Sequence, residues 1–102
     1  MVSMMVRYTV KPDRVAENER YVEGVYAELA RNEPAGMRYA TFRLDDGRTF
    51  VHLFIQNSDE GRDVLPALPA FQAFRAGLEE RCETPPVRTP LREVGSYRFA
   101  GE

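Results

Sequence analysis

The sequence predicts an α+β fold of the ferredoxin-like kind, βαββαβ with an antiparallel four-stranded sheet. Three observations point there. Residues 37–44 and 49–56 are two β-type runs joined by Asp45-Asp46-Gly47-Arg48, and Asp46-Gly47 reads as a tight hairpin tip because Asp-Gly adopts positive φ at little cost. A helical stretch lies on each side of that hairpin. A short strand opens the chain and another closes it.

Each element has its own warrant. In residues 4–10, Met4, Val6, Tyr8 and Val10 alternate with Met5, Arg7 and Thr9, a period of two. Lys11-Pro12-Asp13 ends that strand, with Pro and Asp suited to the first turn of a helix. The helix is predicted over 13–32, where Val15, Val22, Val25, Tyr26 and Leu29 form an apolar stripe and Asn32-Glu33-Pro34-Ala35-Gly36 terminates it. Ser58-Asp59-Glu60 reads as an N-cap with acids in the first turn. Pro66 stops that turn, and Pro69 starts a new helix over 70–82 with Phe71, Phe74 and Leu78 on one face. The second helical region is therefore bent at 65–68. Thr84-Pro85-Pro86 leads into a last strand predicted over 91–99, with Pro90 at its start.

Along 49–56, Phe50, His52 and Phe54 face one way and Val51, Leu53 and Ile55 the other, so neither face is polar. A sheet with one solvated side carries polar residues there. Two helices cover only one face of four strands, so the other face is expected to pack on a second copy in a two-fold homodimer.

Composition narrows the function. The chain has 102 residues, one domain's worth, and residues 1–102 are expected to form a single domain. A net charge of −2 gives no long-range attraction to nucleic acid or to an anionic membrane, and no apolar run approaches a bilayer span. The first seven residues lack a signal peptide's basic n-region. The single cysteine, Cys82, excludes an intrachain disulfide and fits a reduced, cytoplasmic setting. One His and one Cys make no usable metal-ligand set.

The candidate site residues follow from chemistry. His52, the only histidine, has a side chain that titrates near neutrality. It suits either a general base in a pocket or a hydrogen-bonded group within the sheet or an interface. Tyr8, Tyr39 and Tyr97 on predicted strands, and Tyr26 on the first helix, pair an apolar ring with a hydroxyl, fit for a core or for orienting a phenolic ligand. Phe42, Phe54, Phe71 and Phe74 are equally core or the walls of a cavity for a flat aromatic molecule. Arg7, Arg38, Arg43 and Arg98, on predicted strands, suit ion pairs, solvent or an anionic ligand.

The element order, the Val10-Lys11-Pro12-Asp13 junction and the segment from Ser58 to Leu68-Pro69-Ala70-Phe71-Gln72-Ala73-Phe74 together resemble the antibiotic biosynthesis monooxygenase-like family. The resemblance spans residues 4–99. It implies a dimeric α/β barrel with ligands held between sheet and helices, and it admits cofactor-independent monooxygenases, haem-degrading enzymes and members without a known role. Two departures matter. A tryptophan common near the end of the third strand is replaced at about Gln56, and a histidine common before the Pro-x-Phe-Gln-x-Phe stretch is replaced at about Leu65, which becomes a pocket candidate. Lacking both, the chain does not match the haem-degrading members, and no cofactor is expected.

Two functions are thereby expected as alternatives. One is a cofactor-independent monooxygenase-like enzyme on a small aromatic or quinol substrate, with His52, Tyr39 and Tyr97 catalytic and Tyr8, Phe42, Phe54, Leu65, Phe71 and Phe74 holding the ligand. The other is a non-catalytic dimeric module that binds a small ligand or a protein.

Overall fold

The computed structural model describes residues 2–99. In chain order they form β1 (Val2–Val10), a 3₁₀ turn (Pro12–Arg14), α1 (Val15–Asn32), β2 (Met37–Arg43) and β3 (Thr49–Gln56). A second 3₁₀ turn (Asp59–Gly61) follows, then α2 (Val64–Ala67), α3 (Pro69–Ala76), α4 (Leu78–Arg81) and β4 (Cys82–Pro90). All strand pairs are antiparallel and the order is β2-β3-β1-β4, the ferredoxin-like arrangement.

The hairpin register is set by its loop. Leu44 N donates to Thr49 O at 2.8 Å, Gly47 adopts φ 74°, and Asp46 accepts from the backbone N–H groups of Arg48 and Thr49 and from the Thr49 hydroxyl. Those three donors, the Thr49 hydroxyl first, hold the Asp46 carboxyl down at about 2. The resulting register places Tyr39 opposite Phe54 and Thr41 opposite His52. On the other side of β3, Val6 stands opposite His52 and Tyr8 opposite Phe50. All these side chains therefore project from one face.

That face is covered by α1 and by the broken helical segment. Tyr8, Val10, Val25, Phe50, Leu65, Leu68, Phe74, Leu78 and Cys82 form the buried core, with Val15, Val22 and Leu29 of the predicted α1 stripe packed against it. Ser58 precedes the second 3₁₀ turn but makes no side-chain cap there. The segment's bend has a visible cause. Pro66 lies in α2, Leu68 is extended at φ −77° and ψ 126°, and Pro69 begins α3.

The last strand lies earlier than the 91–99 that alternation suggested. Cys82–Pro90 pairs with β1, Leu91 N adds a bond to Ser3 O at 2.8 Å, and residues 92–98 carry no strand. Three prolines are tolerated because β4 is an edge strand, where a missing N–H need not break a ladder. Cys82 thus opens a strand rather than ending a helix, and burial raises its thiol pKa. Of the strand arginines, Arg43 pairs with Glu19 at 3.1 Å, whereas Arg98 stands off the sheet over the Tyr97 ring.

The opposite face carries Met5, Ala40, Phe42, Val51, Leu53, Ile55 and Val87, which the pairing register brings side by side. Among the described residues no element lies over it. Phe42 is 53% exposed and Val87 58%.

Candidate functional site

Between the sheet and α2–α4 lies an open cavity of about 630 Å³. Its apolar walls include Val6, Phe54, Leu65, Phe71 and Phe74, its inner polar wall is Tyr8, His52 and Tyr39, and the exposed charged residues Arg62, Asp63, Arg75, Glu79 and Arg88 also line it. Seven expected site residues meet here: His52, Tyr39, Tyr8, Phe54, Leu65, Phe71 and Phe74. Two do not. Tyr97 lies beyond the last strand, is 81% exposed and does not line the cavity. Phe42 pairs with Val51 on the opposite sheet face, where the strand's period of two directs it.

His52 is 4% exposed and bonded at both ring nitrogens. The Tyr8 hydroxyl lies 2.7 Å from Nε2, the Tyr39 hydroxyl 2.7 Å from Nδ1, and Thr41 Oγ1 3.1 Å from Nδ1. The ring also packs on those of Tyr8 and Phe74, both with centroids 5.3 Å away. Burial disfavours the imidazolium and brings its pKa down to about 4, so His52 is neutral at pH 7. The same burial raises the Tyr8 and Tyr39 phenols well above the ordinary tyrosine range. The inner polar wall, Tyr8, His52 and Tyr39, is therefore uncharged.

Behind it stand residues that sequence reading missed. Asn18 Nδ2 donates to the Tyr8 hydroxyl at 2.9 Å, and Arg81 Nε donates to Asn18 Oδ1 at 3.1 Å. Arg81 Nη2 donates to Phe74 O at 2.8 Å, and its guanidinium lies 4.4 Å over the Tyr21 ring. Asn18 is 0% and Arg81 1% exposed. On the other flank, the Tyr26 and Thr41 hydroxyls bond at 2.8 Å. Asn18 sat in plain view within the stripe 15-18-22-25-29, a polar residue at a core position. Arg81 likewise continues the face 71-74-78.

Removing one member of this set exposes its cost. Tyr8→Phe leaves Asn18 Nδ2 and His52 Nε2 without their partner in a dry site, so a loss of about 2 kcal/mol is expected in urea unfolding, against well under about 1 kcal/mol for an exposed tyrosine such as Tyr97→Phe.

Fold and site together define a ferredoxin-like α+β protein with a ligand-sized, aromatic-walled cavity under its helices. No protein-family model matches the chain, and no curated protein does. Solved structures do. A crystal structure of an antibiotic biosynthesis monooxygenase superposes with a TM-score of 0.74 at 16% identity, covering 93% of this chain and 100% of that one. A mutant form of SnoaB, a cofactor-independent oxygenase from Streptomyces nogalater, gives 0.68 at 20% identity over 93% and 94%. NE2512, a protein of unknown function from Nitrosomonas europaea, gives 0.71 at 18% over 94% and 91%. The chain thus has the fold of antibiotic biosynthesis monooxygenase proteins along nearly its whole length, as the sequence resemblance implied.

Proposed function

We propose that the chain binds a small flat aromatic molecule in this cavity and acts on it as a cofactor-independent monooxygenase-like enzyme. The observation that carries the reading is the cavity itself: aromatic walls closing on an inner, uncharged polar group of Tyr8, His52 and Tyr39, with charged side chains only at exposed parts of the lining, a shape and polarity that suit a phenol or quinol. The likeness in fold to a cofactor-independent oxygenase supports it. The reaction would use dioxygen as oxidant. A ring CH₂ becomes C=O, the second oxygen atom leaves as water with the two hydrogens, and the four electrons come from the substrate. The protein's part is to hold the ring in a dry site, with Tyr39 and His52 at its oxygenated edge and Phe54, Leu65, Phe71 and Phe74 around it.

The second reading, binding without turnover, is favoured by one specific observation. Both nitrogens of His52 are already engaged and its pKa of about 4 makes it a weak proton acceptor. Oxygen uptake with a dihydroanthracene-type phenol separates the two. Turnover that falls about tenfold or more in His52→Ala supports the enzyme. Binding without oxygen consumption across a phenol panel supports the module.

The bare sheet face leads us to propose a homodimer, built by apposing Met5, Phe42, Val51, Leu53 and Ile55 on their counterparts. Light scattering after size exclusion is expected to give twice the chain mass at micromolar concentration, and Leu53→Glu to give a folded monomer. A monomeric wild-type protein ends this reading.

A further inference from the structure

The buried polar residues form a chain with a direction. Arg81 has only donors, so its Nε–H fixes Asn18 Oδ1 as the acceptor and turns the Asn18 amide nitrogen toward Tyr8. The Tyr8 oxygen accepts from that nitrogen, and its own hydrogen is left for its other partner, His52 Nε2. Nε2 is therefore the unprotonated nitrogen. A neutral imidazole then carries its proton on Nδ1, which donates to Tyr39 Oη and, at longer range, Thr41 Oγ1.

Counting hydrogens at the far end leaves that of Tyr39 over. The Nδ1–H serves both His52 contacts. Tyr26 and Thr41 bond to each other. Tyr39 accepts from Nδ1 and its hydroxyl makes no other hydrogen bond among the described residues, so its own hydrogen is unspent. Of these three hydroxyls only that of Tyr39 lines the cavity. Resting on the cavity reading above, we propose that Arg81, Asn18 and Tyr8 are positioning residues that fix His52 as the Nδ1–H tautomer, so that Tyr39 offers the cavity a hydrogen-bond donor. The ligand it fits presents an acceptor oxygen: a ketone, a quinone carbonyl or a phenolate.

A donor at that point would also hold a ligand that binds already ionised, as its phenolate. The role of the buried cation is to impose direction. Each group after Arg81 accepts on one side and donates on the other, and such chains strengthen along their length.

The test reads the tautomer and the ligand separately. The chain has a single histidine, so ¹⁵N-histidine labelling reports one ring without ambiguity. At pH 7 the proton is expected on Nδ1. Asn18→Asp, a near-isostere that accepts from both Arg81 and Tyr8, is expected to reverse the chain and move the proton to Nε2. A proton on Nε2 in the wild type, or an unchanged tautomer in Asn18→Asp, overturns the proposal. For the ligand, 9-fluorenone and fluorene share a shape and differ by one carbonyl. Fluorenone's carbonyl stretch is expected at the lowered frequency of a hydrogen-bonded ketone, and Tyr39→Phe is expected to abolish that shift and weaken fluorenone about fivefold, while fluorene changes less than about twofold. Fluorenone binding that ignores Tyr39→Phe overturns the donor assignment and leaves the cavity standing. If neither compound binds, the cavity reading itself fails.

Discussion

Gly61→Ala is expected to destabilise the fold by about 3 kcal/mol or more, although it adds only a single methyl group. A Cβ built on Gly61 would overlap the carbonyl oxygen of Gly36 and come within 3.0 Å of Met37 Cβ. Both obstacles are fixed. The Gly36 carbonyl accepts from Asn57 N at 2.9 Å and Ser58 N at 3.3 Å, so it cannot turn aside without releasing two backbone donors. Gly36 has its own constraint, φ 83°, where a side chain is strained, and its Cβ would meet Ser58 Oγ and Gly61 N. The two glycines thus let the start of β2 cross the segment after β3 at backbone contact. Arg62 and Asp63, next in the chain, line the cavity, so ligand affinity should fall with stability in Gly61→Ala. Urea unfolding measures the first effect. A change under about 0.5 kcal/mol, the range of a neutral surface substitution, contradicts the crossing.

The second large effect is a loss of stability in mild acid. His52 has a pKa of about 4 in the folded protein and 6.5 as a free side chain. The unfolded chain therefore takes up the proton first as pH falls, and protonation favours unfolding. The stabilisation is fully present above pH 6.5, declines between 6.5 and about 4, and is exhausted below. Across that window the linkage amounts to about 3 kcal/mol. Asp46, lowered from 3.8 to about 2, loses its own stabilisation mainly below about pH 4 and adds little in this window. Unfolding free energies at about pH 7 and about pH 4.5 should differ by about 2 kcal/mol or more in the wild type, and by much less in His52→Gln. An NMR titration of the wild-type His52 ring checks the same pKa without a variant. A midpoint near 6.5 removes the basis for the effect.

Much of the fold was legible because local rules and the global arrangement agree. The alternation around Tyr8, the stripe from Val15 to Leu29 and the turn at Asp46-Gly47 each need only a few neighbouring residues to be read. The last strand was not, since three prolines argue against pairing until the edge position of β4 is known. The site divided along the same line. Tyr8, Tyr39 and His52 converge because each lies on the helix-covered face of its strand. Phe42 was separable in principle: residues three apart on a strand face opposite ways, so it could not share a cavity with Tyr39. Tyr97 depended on the register of the final strand, which no local pattern supplies. Asn18 and Arg81 broke an otherwise apolar face, and such interruptions mark buried polar groups whose partners lie far away in sequence, here 63 residues apart.

The cavity's two sides are built differently. One side is a sheet whose ladders tie each strand to the next. The other is three short helices of four, eight and four residues, separated at Leu68 and Gly77. Admitting a molecule therefore asks nothing of the ladder. One helical piece can tilt on its joint while the hydrogen-bonded strands stay whole, so entry and exit would be governed by the least cooperative part of the protein.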